Sequence, residues 1–509
     1  MSIVHFLAVL RKAQLQSKEG TLTTLNIPII FIPGTSGSSL DTSGPFRHEF
    51  LGDTHAFPDI CETCPPVVHT DETFDYRPGP FDIFKPWAFD PAGPRVWIGP
   101  EAVGYLVADT PDANRGNHYF DVLQFDASGH NTLFPQIDKG TVLGQVNLSA
   151  GGLINNPIYN SLMNFLTTDP GGPHRPTNQG SNGLYLFPYD WRGDLPDLAA
   201  KLGVFVDSVL HRPEVQAAHI QKVALLTHSL GGLVARAYYL SSPAAANKVD
   251  QVISISGGFE GIILPLKILA MGDTWGFGLG FGPLTVGFTE WETEKLAQNW
   301  GTAYFQLPST DDWFADDVNR GGSFHRSYIR DDRQAPIINH PGSVAWLQAN
   351  HNMTLTNRAE TFFTGLSVPM GNFQAGTNTV PHHRIISKGR MDTVVAVHIY
   401  MGQSDACQFA MQTGLPVNPA ECVPVVRYDP IHGDGDSTVP YHGLVGVIAP
   451  NDDQVYILDN PNDHVEHFAI TTRPEVHNLI AGLLDGTVTS QTQVAATFKS
   501  PANVTEIPY

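Results

Sequence analysis

Three places in this 509-residue sequence carry residue types that together could perform nucleophilic catalysis. Ser229 stands within Lys222-Val-Ala-Leu-Leu-Thr-His-Ser-Leu-Gly-Gly-Leu-Val-Ala-Arg236, after a short apolar run of strand character and before a segment, Leu230 to Leu240, of helical composition. A serine hydroxyl is a poor nucleophile until a neighbouring base removes its proton. A strand that turns abruptly into a helix lifts Oγ clear of the backbone, where an imidazole can reach it. The same turn aims the Leu230 amide, at the positive end of the helix, toward the point where an oxyanion would form. The pattern G-x-S-x-G is here Thr227-His-Ser-Leu-Gly231, with threonine for the first glycine. Read alone, the pentapeptide is also compatible with an ordinary strand-turn-helix in a core.

The partners must come from elsewhere in the chain. Ile431-His-Gly-Asp-Gly-Asp-Ser-Thr-Val-Pro440 is a glycine-rich turn bearing two acids. Asp436 is preferred, because it stands immediately before Ser-Thr-Val, where a turn would present it beyond a strand; Asp434 is the alternative. Two histidines follow. His467 is preferred over His464, since Phe468, Ile470 and the following helix would anchor it against the core. At the other end of the chain, Ile27-Pro-Ile-Ile-Phe-Ile-Pro-Gly34 reads as a strand leading into the small residues Thr35-Ser-Gly-Ser-Ser39. Such a loop exposes backbone N–H groups, and the amide of Thr35 is the expected second oxyanion donor. The order serine, acid, histidine is that of α/β-hydrolases and differs from both chymotrypsin and subtilisin.

The elements needed to position these groups are visible in the hydrophobic pattern. Leu195, Leu198, Leu202, Phe205 and Val209 recur at helical spacing. Strands are expected in Gly183–Arg192, which stops in a charged aromatic cluster, in the first half of Lys222–Arg236 and over Lys248–Gly257, then Met391–Met401, Val423–Tyr428 and Gln454–Leu458, with a helix from about Pro474 to Leu484. Strand and helix in alternation predict an α/β fold, a mostly parallel sheet with crossover helices. The expected organisation is an arm over 1–26, an α/β-hydrolase domain over 27–488 and a tail over 489–509. Two large insertions interrupt the domain, a first cap at about 41–180 and a lid or cap at about 258–390. Between Gly272 and Phe305 glycines alternate with rings, which suits a hinged flap over an apolar cleft. Trp275, Phe277, Phe281 and Trp291 are its candidate substrate-facing residues, and rings that fill a small core of their own are the competing reading.

Composition narrows the partners. A hydrophobic content of 42% can bury a large core, and a net charge of -21 leaves no basic surface for nucleic acid. No window approaches a transmembrane span. No signal peptide is recognised, because Arg11 and Lys12 follow the first apolar run rather than precede it, so the compartment stays open between cytoplasm and secretion with the signal removed. The four cysteines, Cys61, Cys64, Cys407 and Cys422, suit two local disulfides or four inert thiols; Cys61-Glu-Thr-Cys64 lacks the second pair that a zinc site needs, and no metal or cofactor is expected. Sequons stand at Asn147, Asn352 and Asn503.

Taken together, these motifs resemble the lecithin:cholesterol acyltransferase-like lipases, the family that includes lysosomal phospholipase A2 and the phospholipid:diacylglycerol acyltransferases. Pro33-Gly34 with Gly37 and Leu40 is similar to the family's oxyanion loop, Pro188-Tyr-Asp-Trp-Arg192 matches its characteristic pentapeptide, and His228-Ser-Leu-Gly-Gly232 resembles its elbow. Leu264-Pro-Leu-Lys-Ile-Leu-Ala-Met-Gly-Asp273 is similar to its lid entry and Gly433-Asp-Gly-Asp-Ser-Thr-Val439 to its acid turn. The resemblance implies Ser229 as nucleophile with Asp436 and His467, the amides of Thr35 and Leu230 as oxyanion hole, and Asp190 with Arg192 as a structural pair bracing the site. Leu230 stands where the family commonly has methionine, and the first cap and the cysteine spacing differ from the family's. The expected function is a serine esterase of the lipase or phospholipase A type, acting on a lipid ester at a membrane, micelle or lipoprotein-like interface. A lipid acyltransferase with the same mechanism is the alternative, and a non-catalytic lipid-binding protein is the reading from another class.

Overall fold

The computed structural model describes residues 155–273, 290–314, 327–373, 380–413, 422–446, 454–458 and 464–501 continuously, with 27–42, 123–133, 137–143 and the shorter pieces 47–48, 68–69, 95–97, 135, 145–147, 279–281, 284–286, 420 and 504. Its centre is a six-stranded sheet made of β1 (Ile29–Ile32), β2 (Leu184–Leu186), β3 (Val223–His228), β4 (Val249–Ile255), β5 (His382–Ser387) and β6 (Val455–Leu458). The spatial order is β6-β5-β4-β3-β1-β2, and every pairing is parallel. Parallel strands need crossovers that cover both faces, which is why β1 and β6 read as unbroken apolar runs. In β1, Ile30 and Ile32 enter one core with Leu195, Leu202, Leu233 and Val234. Ile29 and Phe31 enter the other with Leu162, Phe165, Val476 and Leu479.

The expected α/β fold with crossover helices is therefore observed. The helix Leu195–Leu210 buries Leu195, Leu198, Leu202 and Val209 as the spacing predicts, while Phe205 is only half-buried. Its first turn is capped by Asp194, whose carboxylate accepts from the Asp197 amide at 3.2 Å. Asn352, a sequon residue, caps Met353–Gly365 in the same way and also donates Nδ2 to the Ala127 carbonyl at 2.9 Å.

Two parts of the sheet differ from expectation. Residues Met391–Met401 and Val423–Tyr428 do form strands, Thr393–Gln403 and Pro424–Gly433, but these pair antiparallel in a separate three-stranded sheet with Ile329–Asp331. The strand that occupies the corresponding place in the main sheet is β5, which the reading placed inside the insertion running to residue 390. Its apolar run is only Ile385-Ile386 between His383-Arg384 and Ser387-Lys388, too short and too polar at its edges to show a strand by pattern. Burial nevertheless takes Arg384 and Ser387 with it; Arg384 donates Nη1 to the Val445 carbonyl and Ser387 its hydroxyl to Val465.

Beyond the strand Thr393–Gln403, a disulfide joins Cys407 to Cys422 across a sequence separation of 15. Cys61 and Cys64 lie outside the described residues. Among the described residues, no helix is long and apolar enough to cross a membrane. Closing a loop of this size stabilises a folded chain by about 3 kcal/mol through the entropy of the unfolded state. Replacing both cysteines by serine should lower the urea-derived stability by up to about that amount, with the loss read as a lower denaturation midpoint in the absence of reductant.

Candidate active site

The strand order reverses between β1 and β3, and at such a switch point the loops leaving the two strands diverge to opposite faces and leave a crevice. The loop after β1 is the expected oxyanion loop, and the turn after β3 carries Ser229. Ser229 has φ 52° and ψ -125°, a left-handed conformation that costs a non-glycine residue about 1–3 kcal/mol. Its neighbours hold it there. The Ser229 amide donates to the Ile255 carbonyl of β4 at 2.9 Å, and the helix Leu230–Leu240 begins at the next residue. Gly231 has no room for a side chain, since a Cβ would lie 2.3 Å from the Ile32 carbonyl oxygen. The threonine that replaces the motif's first glycine is accommodated from the far side: Thr227 Oγ1 faces Gly232, whose missing Cβ would approach it to 3.4 Å.

The loop after β1 presses directly on this turn. A Cβ at Gly34 would come within 2.7 Å of Ser229 Cβ and 3.1 Å of His228 Nδ1. The Gly34 amide is engaged, donating to the Tyr159 hydroxyl at 2.9 Å, and the Pro33 carbonyl accepts from the Tyr189 hydroxyl at 2.7 Å. Thr35, half-buried, follows at the mouth of the loop.

Of the two acids, Asp436 meets the histidine. Its Oδ2 lies 2.7 Å from His467 Nδ1, while Oδ1 accepts the amides of Val439 at 2.8 Å and Thr438 at 3.1 Å. The Asp436 carbonyl also accepts the His467 amide at 2.8 Å, so backbone and side chain grip the same residue. The turn needs its glycine: a Cβ on Gly435 would stand 2.4 Å from the Val439 carbonyl oxygen. This acid is delivered by the end of Pro424–Gly433, hence by the separate sheet, rather than by a strand of the main one. Asp434 is equally buried but points away, paired with Lys388 Nζ at 3.0 Å and accepting the Gly389 amide at 2.9 Å.

His467 is 2% exposed, with Ile470 fully buried behind it and the half-exposed Phe468 ring 5.4 Å from the imidazole. His464 is exposed and lies against Gly389. His467 Nε2 is buried and makes no hydrogen bond, and Ser229 Oγ is not bonded to it in this structure. His228, which precedes the serine in the chain, contacts His467: its ring lies 4.8 Å from that of His467, and His228 Nε2 is 3.0 Å from the His467 carbonyl oxygen. His467 thus keeps one ring nitrogen without a hydrogen bond while the other is held by Asp436.

Asp190 and Arg192 form a buried bidentate pair, with Nε to Oδ1 at 2.8 Å and Nη2 to Oδ2 at 2.6 Å. Arg192 also donates to the Leu123 and Ile137 carbonyls and stacks on Phe125, which ties the first insertion to the domain. Within the pentapeptide it is Tyr189 that touches the oxyanion loop. Trp275 and Phe277 lie outside the described residues, as do the side chains of Phe281 and Trp291. Sequence reasoning missed Tyr159 altogether. It sits just before the helix Asn160–Thr167 inside the stretch expected to form the first cap, and the only signal available was the spacing of Leu162, Phe165 and Leu166.

A parallel sheet with a strained serine between strand and helix at its switch point, and a buried acid-histidine pair from later in the chain, is the α/β-hydrolase architecture. Residues 179–427 match the profile of the lecithin:cholesterol acyltransferase family, so the resemblance read from the motifs is borne out over that stretch. Ser229 falls within the match, whereas Asp436 and His467 lie beyond it. No curated protein matches the chain in sequence. Among solved structures, the Tle4-Tli4 complex aligns at 14% identity over 91% of this chain and 98% of that one, with a TM-score of 0.42. The Bacillus licheniformis lipase BlEst2 in its propeptide form aligns at 13% identity over 60% of this chain and 44% of that one, with a TM-score of 0.27. Phospholipase PlaB from Legionella pneumophila aligns at 13% identity over 49% and 73%, with a TM-score of 0.15.

The buried histidines set a pH dependence. Burial pushes His228 and His382 well below the usual histidine range, with the charge of neighbouring groups adding to it. A folded-state pKa below the unfolded one means that, as pH falls under about 6.5, protons bind the unfolded chain first. Stability is therefore fully present above that pH and is lost below it. The urea midpoint should fall between pH 7 and pH 5, and His382→Gln should shrink that fall; an unchanged pH dependence in the variant would contradict the assignment.

Proposed function

We propose that the protein is a serine esterase acting on lipid esters through an acyl-enzyme on Ser229. The observation that carries this reading is the buried Asp436–His467 pair, whose outer nitrogen, His467 Nε2, has no hydrogen-bond partner, and whose histidine contacts His228, the residue before the strained serine. An unsatisfied buried nitrogen costs stability unless a ligand or a reaction uses it.

In the proposed cycle Ser229 Oγ gives its proton to His467 Nε2 as it attacks the ester carbonyl carbon. The carbonyl π pair moves onto oxygen, where the amides of Thr35 and Leu230 donate to it. Collapse of the tetrahedral intermediate breaks the bond to the alcohol, which leaves with the proton from Nε2. Water or an acceptor alcohol then delivers its proton to Nε2 and attacks the acyl-enzyme. Its collapse releases the acid or the new ester and returns the proton to Oγ. Asp436 remains a carboxylate throughout, holding the Nδ1–H tautomer and stabilising the imidazolium. The family match over residues 179–427 supports a lipid acyl ester as substrate and makes a lipid alcohol the natural second acceptor.

Incubation of the purified protein with mixed phospholipid, triglyceride and sterol should release products identifiable by mass. Free fatty acid alone assigns hydrolysis, new steryl or glyceryl esters assign acyl transfer, and no product from any ester sinks the enzymatic reading in favour of a lipid-binding protein. In the same assay Ser229→Ala should lose on the order of 10⁴- to 10⁶-fold in kcat, and Asp436→Asn about 10⁴-fold. Asp434→Asn should act on the fold instead. Breaking one side of its buried pair with Lys388 costs about 3–5 kcal/mol, visible in the melt, with kcat retained within about tenfold in the protein that remains folded.

A further inference from the structure

The hydrogen bonds around His228 allow one assignment of protons, and this goes beyond the triad. The Gly34 amide can only donate, so the Tyr159 hydroxyl accepts from it at 2.9 Å and has its own proton left for His228 Nδ1, also at 2.9 Å. The carbonyl of His467 can only accept, so the proton of His228 stands on Nε2, 3.0 Å from that oxygen. The result is one directional chain: Gly34 N–H to Tyr159 Oη–H to His228 Nε2–H to the His467 carbonyl. Its first member adjoins the expected oxyanion donor Thr35, its middle precedes the serine, and its last is the base.

All members are buried. Tyr159 is braced by its ring, edge-on to Phe31 of β1 at 4.9 Å, and by the preceding Ile158 carbonyl, which accepts the Thr471 hydroxyl at 2.9 Å. The segment carrying Tyr159 is thus tied to both the oxyanion side and the histidine side. Were the His228 proton on Nδ1, the Nε2 lone pair would face the lone pairs of the His467 carbonyl, and the base loop would be pushed away.

We infer that Tyr159 and His228 are positioning residues: Tyr159 locks His228 in its Nε2–H tautomer, and His228 thereby sets the His467 loop and the oxyanion loop at a common distance from Ser229. The inference rests on the proposed role of Ser229 and His467.

The test measures kcat and KM of the full-length chain on a chromogenic short-chain ester. Displacing a reacting group by about 1 Å costs about 10²-fold, so Tyr159→Phe and His228→Leu should each lower kcat about 30- to 100-fold with KM within about threefold. Because both act through one chain, the double variant should fall no further than the worse single. His228→Gln, which keeps an N–H able to reach the His467 carbonyl, should recover part of the loss. Unchanged kcat in Tyr159→Phe, or strictly additive losses in the double variant, overturns the proposal. Ser229→Ala in parallel separates the failures: turnover that survives it removes the nucleophile itself, whereas Ser229-dependent turnover indifferent to Tyr159→Phe removes only the relay. If the variants fail to fold, ¹⁵N-histidine spectra of the wild-type chain decide. A neutral His228 protonated at Nε2 supports the assignment, and protonation at Nδ1 overturns it.

Discussion

The whole site depends on how closely the loop after β1 approaches the turn after β3. The two strands are parallel neighbours in register from Ile29 with Ala224 to Ile32 with Thr227, so their ends emerge side by side. Gly34 and Gly231 then allow backbone to lie where any side chain would collide, 2.7 Å from Ser229 Cβ in one case and 2.3 Å from the Ile32 carbonyl in the other. The left-handed backbone of Ser229 is sustained by this contact from one side and by the Ile255 carbonyl from the other. Without the register, the loop after β1 would not meet the turn that carries Ser229.

Charge in this region is handled by separation. The acid-histidine pair is a contact between Asp436 and His467 alone, with Asp436 compensated by two backbone amides from its own turn. The second acid of the same turn is drawn off by Lys388 on the opposite side. His228, in contact with His467, is pushed well below the usual histidine range by burial, so it places no standing positive charge beside His467. Two carboxylates two residues apart therefore have different environments and different partners, His467 for one and Lys388 for the other.

The surrounding architecture supports the site at a distance. The antiparallel strands Thr393–Gln403 and Pro424–Gly433 end in the acid turn, so the geometry of Asp436 is inherited from a second sheet stapled at its far end by Cys407–Cys422. The pair Asp190–Arg192 plays the corresponding part for the segment 123–137, holding the Leu123 and Ile137 carbonyls while Tyr189, beside it, steadies the loop after β1.

Local sequence was sufficient for everything that residues within a few positions decide. The elbow, the apolar strands β1, β3 and β4, the face of Leu195–Leu210 and the acid turn all belong here, because Asp436 accepts amides two and three residues ahead and Gly435 is demanded by its own turn. The preference for Asp436 over Asp434 and for His467 over His464 also came from these neighbours. What sequence could not carry is pairing across distance. The membership of β5 in the main sheet, the exile of two expected strands to another, and the chain through Tyr159, which joins positions 125 and 69 residues apart, follow only from packing. A tyrosine in an aperiodic stretch carries no mark of what it will meet; its partners are chosen when the helix Asn160–Thr167 docks on the sheet, and that docking is a property of the assembled core.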